Sequence, residues 1–369
     1  MPNKVCRWGI LGAAQIARKN WQAIRHASNC VLTTVASRDL ARCKQFVDEC
    51  QRSAPFNEVP RACGSYEELL ASAEVDAVYL PLPTALRTHW AVAAANAGKH
   101  VLVEKPVGAT TEDVERILTA CRDNNVQFMD GVMFMHSHRL DQLRAILQDN
   151  DTVGPIKRID STFTFGAPAE FFASNIRAQS DLEPLGCLGD LGWYNIRFTL
   201  WVMNWQLPAK VRGQQLAGHR HPASPATVPT DFSAELYFPQ GVSAGFYCSF
   251  LTEIQQWAHV GGTKGSVYLS DFVLPWYGSE LTFEVSKPVF QISGCDFHME
   301  RHVHRFAVRE YSNSNAIAQE SRMFHTFAEL ALSGKPDPFW GEIALKTQQV
   351  SDACLQSARA DGTPVELVP

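Results

Sequence analysis

Two short stretches of the sequence carry residues whose types and spacing could do chemistry. Lys105 directly follows the apolar run His100–Val103 and precedes Pro106. Open α/β sheets bind ligands at the carboxyl ends of their strands, so a lysine at this place is predicted to meet a ligand rather than to be a mere surface charge. Asp190 and Tyr194 lie four residues apart, which puts both side chains on one face of a helical turn.

A third stretch follows an apolar strand pattern and opens a helical one; it reads Gly12-Ala13-Ala14-Gln15-Ile16-Ala17. The glycine permits a tight turn, the small Ala14 and Ala17 let a pyrophosphate approach, and the first amides of the helix face the phosphate charge. The alternative is a strand-to-helix turn whose small residues serve packing alone. The order of strand, turn, helix and second strand favours a dinucleotide site.

The end of the second predicted strand indicates which dinucleotide binds. NAD sites place an acidic residue there to hold the ribose diol, whereas this chain has Ser37 and Arg38. Ser37 can donate to a 2'-phosphate, and Arg38 offers a positive charge and a plane that stacks on adenine. The next residue, Asp39, is predicted to cap the helix that follows. NADP is therefore predicted in preference to NAD.

The elements that position these residues follow an alternating pattern over about the first 135 residues, which is typical of a parallel sheet covered by helices on both faces. The predicted strands are Val5–Leu11, Val31–Ser37, Ala77–Pro81, His100–Val103 and Val126–Met129. The predicted helices are Ile16–Ser28, Leu40–Cys50, Tyr66–Ala71, Thr88–Ala97 and Thr111–Asn124. We expect a doubly wound α/β domain here.

The remainder of the chain has a different pattern. Strand-like stretches dominate from Ile156 to Val285, with one hairpin turn at Phe238–Gly241, and predict an open, mainly antiparallel sheet. Helical periodicity returns over Ser314–Ser333 and Glu342–Ala358. We therefore expect a dinucleotide-binding domain at 1–135, a substrate-binding and oligomerisation domain at 136–340, and a C-terminal helix and tail at 341–369 that packs back on the first domain.

Composition restricts the class of function. The net charge of −5 argues against a general nucleic-acid binder, because phosphate neutralisation needs clustered Lys and Arg. No apolar run approaches the roughly 20 residues that a membrane helix needs, and the first residues leave no room for a signal peptide, so a cytoplasmic location is expected. The ten cysteines are scattered singly and are interpreted as reduced. A small-molecule substrate is the expected partner, without nucleic acid or membrane.

The motifs occur in an order that resembles the glucose-fructose oxidoreductase / inositol dehydrogenase / rhizopine catabolism (Gfo/Idh/MocA) family over nearly the whole chain. They read Gly9-Ile10-Leu11-Gly12, Pro81-Leu82-Pro83-Thr84, Glu104-Lys105-Pro106 and Gly189-Asp190-Leu191-Gly192-Trp193-Tyr194. The tyrosine, where many members carry histidine, resembles the branch of dihydrodiol dehydrogenase and NADP-xylose dehydrogenase and uncharacterised plant-type members. The resemblance implies an N-terminal Rossmann domain, a C-terminal α/β domain and homodimers or homotetramers formed through the C-terminal sheet.

The resemblance also implies roles for residues of the first domain. Lys105 corresponds to the family's catalytic lysine beside the nicotinamide and the substrate oxygen, and its bond to Pro106 is often cis. Glu104 would approach the nicotinamide ribose. The remaining cofactor contacts implied by the motifs are Leu82, Pro83, Thr84 and, more weakly, His89, which could instead cap or pack a helix.

The substrate side rests on the same resemblance. Tyr194 is the implied acid/base group, with Asp190 orienting the substrate or Lys105; a buried aromatic and a helix cap are the alternatives. Arg177 borders the substrate or forms a structural salt bridge. Phe134 and His136 fall where relatives approach the nicotinamide. Close relatives read His-His-Pro-Arg there, whereas this chain reads His136-Ser137-His138-Arg139 and lacks the proline, so the local loop shape is expected to differ.

The sequence thus predicts an NADP(H)-dependent oxidoreductase that transfers hydride between nicotinamide C4 and a carbinol or carbonyl carbon of a sugar, polyol or cyclic diol. Reduction of a C=N or C=C bond on the same fold, or a non-catalytic NADP-sensing regulator, are the alternatives. A metal site is not expected, although the candidate ligands Cys295, His298, His302 and His304 cluster in the sequence.

Overall fold

The computed structural model describes residues 4–312 and 315–367. The first three residues, on which the argument against a signal peptide partly rests, and Ser314, the predicted start of a helix, lie outside the described residues. Within the described ranges, no helix is both long enough and apolar enough to cross a membrane.

The described residues divide into two compact units. Unit 1 comprises residues 4–136, 179–184 and 315–349, and unit 2 comprises residues 137–178, 185–312 and 350–367. This division differs from the predicted boundaries at 135 and 340. Residues 315–340 were expected in the second domain but belong to unit 1, and the last helix contributes its first half to unit 1 and its second half to unit 2.

Unit 1 contains a six-stranded parallel sheet in the order β3-β2-β1-β4-β5-β6. Its strands are β1 (Cys6–Leu11), β2 (Cys30–Ala36), β3 (Arg61–Cys63), β4 (Ala77–Leu80), β5 (His100–Val103) and β6 (Phe128–Asp130). Its first helices are α1 (Gln15–His26), α2 (Leu40–Ser53), α3 (Tyr66–Leu70), α4 (Thr84–Asn96) and α5 (Thr111–Asp123). The doubly wound fold predicted for this part is confirmed.

Unit 2 is built on a nine-stranded sheet. After α6 (His138–Gln148), its elements are β7 (Ile156–Thr164), α7 (Ala169–Ser174), α8 (Trp193–Val202), β8 (Lys210–His219), β9 (Val228–Tyr237), β10 (Ser243–Ser249), β11 (Gln255–Gly262), β12 (Ser266–Leu269), β13 (Glu280–Ser286), β14 (Val289–Ser293), β15 (Asp296–Glu300) and β16 (Val303–Arg309). The chain ends with α9 (Gln319–Ser333), α10 (Phe339–Arg359) and β17 (Val365–Glu366).

The order of the large sheet is β16-β13-β12-β11-β7-β10-β9-β8-β17, while β14 and β15 form a separate two-stranded sheet. Every pair in the large sheet is antiparallel except β7 with β10, so the prediction of a mainly antiparallel sheet is confirmed. Buried and partly exposed residues alternate along β9, β10 and β13. One face of the sheet therefore packs on the core of unit 2, and the opposite face, called the open face below, is more exposed.

Each unit has an aromatic core of its own. In unit 1, the ring of Trp8 on β1 lies 4.9 Å from Phe324 and 5.0 Å from Phe327, which packs α9 against the sheet. Phe198 on α8 packs 5.3 Å from Phe272 in unit 2. Side chains of this size contribute most of the apolar burial of a domain.

Local capping explains several helix boundaries. Asp39 accepts a hydrogen bond from the Arg42 amide at 3.1 Å, so it caps α2 as predicted. Helix α4 begins at Thr84, four residues before the predicted start, because its first amide finds a partner far along the chain. Strand β3 has only three residues and begins with a charged one, which is why the periodicity of the sequence did not indicate it.

Candidate active site

The turn between β1 and α1 has the geometry that a dinucleotide needs. Gly12 has φ +123°, a conformation that side chains disfavour, and a Cβ there would lie 3.1 Å from Leu82 Cδ2. Ala14 precedes the first turn of α1, and its methyl group cannot accept a hydrogen bond from the helix amides. Gln15 and Ile16 are exposed. The start of α1 therefore presents amide groups where a pyrophosphate would fit.

Ser37 and Arg38 follow β2 as the sequence predicts. The Ser37 amide donates to Cys63 O at 3.1 Å, and Arg38 is exposed. The sequence did not indicate a second arginine, Arg42, which reaches from α2 to donate to Ala13 O at 3.3 Å. Burial raises the pKa of the Tyr66 phenol, and the charges of Arg38 and Arg42 oppose that rise. The two arginines therefore flank the tip of the dinucleotide turn and fit a 2'-phosphate.

The turn after β4 is held by an ion pair that sequence reasoning missed. Glu183 accepts a hydrogen bond from the Thr84 amide at 3.1 Å and a second from the Thr84 hydroxyl, so it caps α4. Buried Arg87 lies one turn into α4, with Nη2 3.9 Å from Glu183 Oε1. Its Nε donates to Leu82 O at 2.7 Å, and Nη1 donates to Pro106 O. Arg87 thus connects the turn after β4 to the turn after β5.

His89, the weaker of the predicted cofactor contacts, lies on the exposed side of α4. Its ring stands edge-on to Trp90 with 4.9 Å between the centroids. The prediction placed the start of the helix at Thr88, which left Arg87 in a loop. A start at Thr84 would have put Arg87 one turn inside the helix, where its side chain can reach back to the first turn.

Lys105 lies just beyond the carboxyl end of β5, and both of its neighbours in the chain are hydrogen-bonded. Before it, buried Glu104 accepts a 2.6 Å hydrogen bond from the Tyr79 hydroxyl, and Asn20 donates to that hydroxyl at 2.6 Å. Burial, followed by the charge of Glu104, raises the pKa of Tyr79 well above its usual value. After it, Pro106 O accepts from Arg87, and the Lys105–Pro106 peptide is cis. The backbone on both sides of Lys105 is therefore fixed.

Asp190 and Tyr194 lie in unit 2 on an unusual turn. Residues Leu188–Gly192 form a π-helical turn that leads directly into α8. Turns of this kind occur frequently at functional sites. Buried Tyr194 packs edge-on against Phe163 with 5.6 Å between the ring centroids. Arg177 Nε lies 2.9 Å from Asp190 Oδ2, so the two residues form a salt bridge.

The loop after β6 is ordered without the family's proline. In unit 1, buried Phe134 lies in the turn Met133–His136, and the His136 ring stacks on Trp340 with 4.7 Å between the centroids. In unit 2, the Ser137 hydroxyl accepts from the Arg139 amide at 3.2 Å and donates to Glu310 at 3.0 Å. Ser137 thus caps α6, whose first residue, His138, stands at the position of the missing proline.

The histidine cluster near Cys295 pairs with a carboxylate. His298 Nε2 and His302 Nε2 lie 2.8 and 2.7 Å from the two oxygens of Glu300. Within residues 4–312 and 315–367, no three side chains of His, Cys, Asp or Glu form a group that could hold a metal ion.

The comparison with protein families decides between the interpretations of the sequence. The profile of an oxidoreductase family with an NAD-binding Rossmann fold matches residues 6–132. The profile of the GFO/IDH/MocA C-terminal domain matches residues 140–268. The chain belongs to the Gfo/Idh/MocA family. The family resemblance and the oxidoreductase class predicted from the sequence are confirmed.

Curated members of the family include enzymes that are named for sugars and diols. D-xylose 1-dehydrogenase (NADP(+)) 2 of Haloferax volcanii is 32% identical over 278 residues, which cover 75% of this chain and 80% of that protein. Trans-1,2-dihydrobenzene-1,2-diol dehydrogenase of Bos taurus is 29% identical over 267 residues, which cover 72% and 74%.

Solved structures of the family match almost the whole chain. A 3-ketoreductase from Actinomadura kijaniata in complex with NADP and TDP-benzene superposes with a TM-score of 0.77 at 25% identity, covering 96% of this chain and 98% of that one. Aldose-aldose oxidoreductase from Caulobacter crescentus superposes with a TM-score of 0.80 at 22% identity, covering 99% and 100%, which supports the fold.

Proposed function

We propose that this chain is an NADP(H)-dependent dehydrogenase or reductase that transfers hydride between nicotinamide C4 and a carbinol or carbonyl carbon of a sugar, polyol or cyclic diol. Lys105 stabilises the substrate oxygen, and Tyr194 moves its proton. The names of the relatives support this substrate class, since they are a xylose dehydrogenase, a dihydrodiol dehydrogenase and a sugar ketoreductase.

The anchored lysine turn is the observation that carries the proposal. The Glu104 side chain accepts a hydrogen bond from the Tyr79 hydroxyl, and Pro106 O accepts one from Arg87. The residues on both sides of Lys105 are therefore restrained. A lysine whose backbone is restrained at the carboxyl edge of a parallel sheet is suited to stabilise charge that develops on an oxygen. The restrained backbone position matters because such stabilisation depends on donors that are placed before the reaction.

The residues around the β1–α1 turn fit NADP. Gly12, Ala13 and Ala14 leave room for the pyrophosphate, and Ser37, Arg38 and Arg42 offer the 2'-phosphate a hydroxyl donor and two positive charges. Leu82, Pro83 and Thr84 would border the dinucleotide, and Glu104 the nicotinamide ribose. When bound, NADP accepts or supplies the hydride.

The substrate side is assigned to residues of two segments. Tyr194 holds or releases the hydroxyl proton, and Asp190, paired with Arg177, keeps the polar end of the substrate oriented. Phe134 and His136 would form the wall near the nicotinamide. The buried position of Tyr194 excludes bulk water from its ring, which favours a proton transfer to substrate over one to solvent.

Turnover on a substrate panel tests the proposed function. The panel contains aldoses including D-xylose, inositols and cyclic trans-diols with NADP⁺, and the matching carbonyl compounds with NADPH. We expect at least one pair to react, and Tyr194→Phe to lower kcat by about 100-fold or more. Tight NADPH binding without turnover of any compound would contradict the dehydrogenase and favour a sensor, whereas turnover of imines alone would favour a C=N reductase.

Cofactor preference has its own test. Removing a 2'-phosphate partner should weaken NADPH binding and leave NADH binding almost unchanged, because NADH lacks that phosphate. For Arg38→Ala and Arg42→Ala we expect the Kd of NADPH to rise by about 10-fold or more each, as for the loss of a charged hydrogen bond. Fluorescence titration with both cofactors measures this. Equal losses for NADPH and NADH would mean that the arginines only stabilise the turn.

We also propose that the chain forms homodimers or homotetramers through the open face of the C-terminal sheet. This face contains a depression of about 570 Å³ that is lined in part by Tyr237, Tyr247 and Trp257. Three of the charged side chains that line it form ion pairs within the face, since Arg158 binds Asp160 at 2.6 Å and also Glu235; Arg212 lines it as well. Aromatic side chains surrounded by internally paired charges are suited to meet a copy of the same face.

The state of the cysteines supports the proposal that this protein functions in a reducing compartment such as the cytoplasm. All ten are free, and eight of them are buried. Burial raises the pKa of Cys63 to about 11 and those of Cys30 and Cys121 to about 12, which keeps these thiols protonated and unreactive at neutral pH.

A further inference from the structure

Strands β14 and β15 form a hairpin that continues beyond the large sheet. We call residues 289–300 the arm. The pair Ser286–Val303 ends the contact of β13 with β16, and the pair Val289–Glu300 begins the contact of β14 with β15. The two pairs belong to one register, and the Lys287 amide donates to His302 O at 2.9 Å between them. The arm therefore continues the β13–β16 ribbon in the same register, although Lys287 and Pro288 lie between the strands and belong to neither.

One side of the arm is apolar and exposed. Phe290 pairs with Met299, and Ile292 pairs with Phe297, so the four side chains share one side. Their exposed fractions are 55%, 74%, 60% and 71% in that order. The opposite side carries Gln291 and His298, which form the neighbouring cross-strand pair.

Exposing four large apolar side chains of a hairpin to water is unfavourable in free energy. A lone two-stranded hairpin is at best marginally stable in water, and four large apolar side chains on one side make an interaction surface rather than a scatter of single residues. The apolar side carries no charged residue, so a partner that covers it does not have to neutralise charge. We therefore expect the apolar side of the arm to pack against a surface that is itself apolar or aromatic.

The register places this apolar side on the open face of the large sheet. Tyr268 on β12 pairs with Glu284 on β13, and Glu284 pairs with Arg305 on β16, all on the open face. Side chains alternate between faces along a strand, so every second residue from Glu284 onward shares that face. This series passes through Ser286 to Phe290 and Ile292. Whatever covers the open face consequently also meets the apolar side of the arm.

Gly245 shows that the open face is built for close approach of its own charged groups. A Cβ at this position would lie 2.4 Å from Arg158 Nη2 and 3.0 Å from Glu235 Oε2. The missing side chain lets the ion pairs lie flat in the middle of the face. Because these central charges are already paired, the middle of the face can meet a second copy of itself without placing like charges together.

We propose that the apolar side of the arm, formed by Phe290, Ile292, Phe297 and Met299, packs on a second copy of this chain and extends the contact made by the open face. The inference rests on the proposed self-association and goes beyond it, because it assigns the arm as a separate clamp. Each protomer of a twofold dimer contributes one arm, so a change in the arm acts twice.

Two matched double variants test the proposal. Ile292→Thr with Phe297→Thr removes the apolar pair, whereas Gln291→Thr with His298→Thr alters the adjacent pair on the opposite side. Threonine keeps the β-strand preference in both. Sedimentation over a range of protein concentrations gives the dimer dissociation constant, and hydrogen exchange of residues 289–300 shows whether the arm is covered. NADPH binding and thermal unfolding of unit 1 and unit 2 check that each variant is folded.

We expect the apolar-side variant to dissociate at least about 100-fold more readily and the control to change by less than about threefold, because buried apolar anchors dominate interface energies. In the wild type, protection of the arm should rise with protein concentration. If both variants stay dimeric and the arm exchanges fast at every concentration, the arm is not part of the dimer contact. The proposed self-association through the open face would then still hold. A monomeric wild type, or an arm protected in the monomer, would overturn the assignment of a second copy. Turnover measured in the same samples reports separately on the proposed function.

Discussion

Arg87 joins two turns that the proposed reaction needs in fixed positions. Its guanidinium donates to Leu82 O in the turn after β4 and to Pro106 O beside Lys105, while Glu183 balances its charge. A planar guanidinium can hold two carbonyls in different directions, which a single ammonium does poorly. Arg87 is therefore interpreted as a positioning residue for Lys105.

Substituting Arg87 should separate catalysis from cofactor binding. For Arg87→Met we expect kcat to fall by about 10-fold to 100-fold because the lysine turn loses its anchor, with the Kd of NADPH within about threefold. The free energy of unfolding should fall by about 1–3 kcal/mol, since the partly buried Glu183 carboxylate is left without its partner charge. Steady-state kinetics and urea unfolding measure the two effects.

The controls lie on the same helix. Arg87→Lys keeps the charge beside Glu183 and should recover most of the stability but not the kcat. His89→Ala, on the exposed side of α4, should change neither. If Arg87→Met lost stability and kept the wild-type kcat, the residue would be structural only.

At the scale of elements, a half-buried histidine, His100, that must stay neutral joins β5 to the residue before β6. The Gln127 amide donates to His100 Nδ1 at 2.8 Å, which requires that nitrogen to be unprotonated. Burial lowers the pKa of His100, and the nearby charge of Asp76 opposes that shift. The bond lies at the start of β5, the strand that ends at Lys105.

The pH dependence of stability follows from the direction of this shift. The folded pKa of His100 is below its unfolded value, so the unfolded chain binds the proton more readily. The contribution to stability is thus complete above about pH 6.5 and is lost as the pH falls below that value. Urea unfolding at pH 7.5 and pH 5 should therefore show a lower free energy of unfolding at pH 5, with His100 contributing to the loss.

The variant His100→Asn isolates this contribution, because its amide oxygen can accept from Gln127 but does not titrate. We expect a smaller difference in the free energy of unfolding between pH 7.5 and pH 5 than in the wild type. An unchanged difference would show that other groups cause the loss in acid.

At the scale of the whole molecule, sequence and structure agree where the signals are local. The strand-turn-helix at Gly12 and the lysine after β5 are each contained within a few residues, so their patterns predict their places in the fold. The cap by Asp39 is equally local.

Contacts between distant segments could not be predicted in this way. Thr84 and Glu183 are 99 positions apart, and no periodicity links them. The early start of α4 depends on that pair, and so does the role of Arg87. The π-helical turn at Asp190 and the division of the chain at 349 likewise arise from packing rather than from local preference.

The central claim is that Lys105 performs chemistry on a substrate oxygen while NADP is bound. The most direct measurement is the kcat of Lys105→Met on the substrate found in the panel, together with the Kd of NADPH. We expect kcat to fall by about 100-fold or more, because a donor that stabilises a developing oxyanion is removed. The Kd of NADPH should change by less than about threefold. A variant that turns over like the wild type would contradict the account.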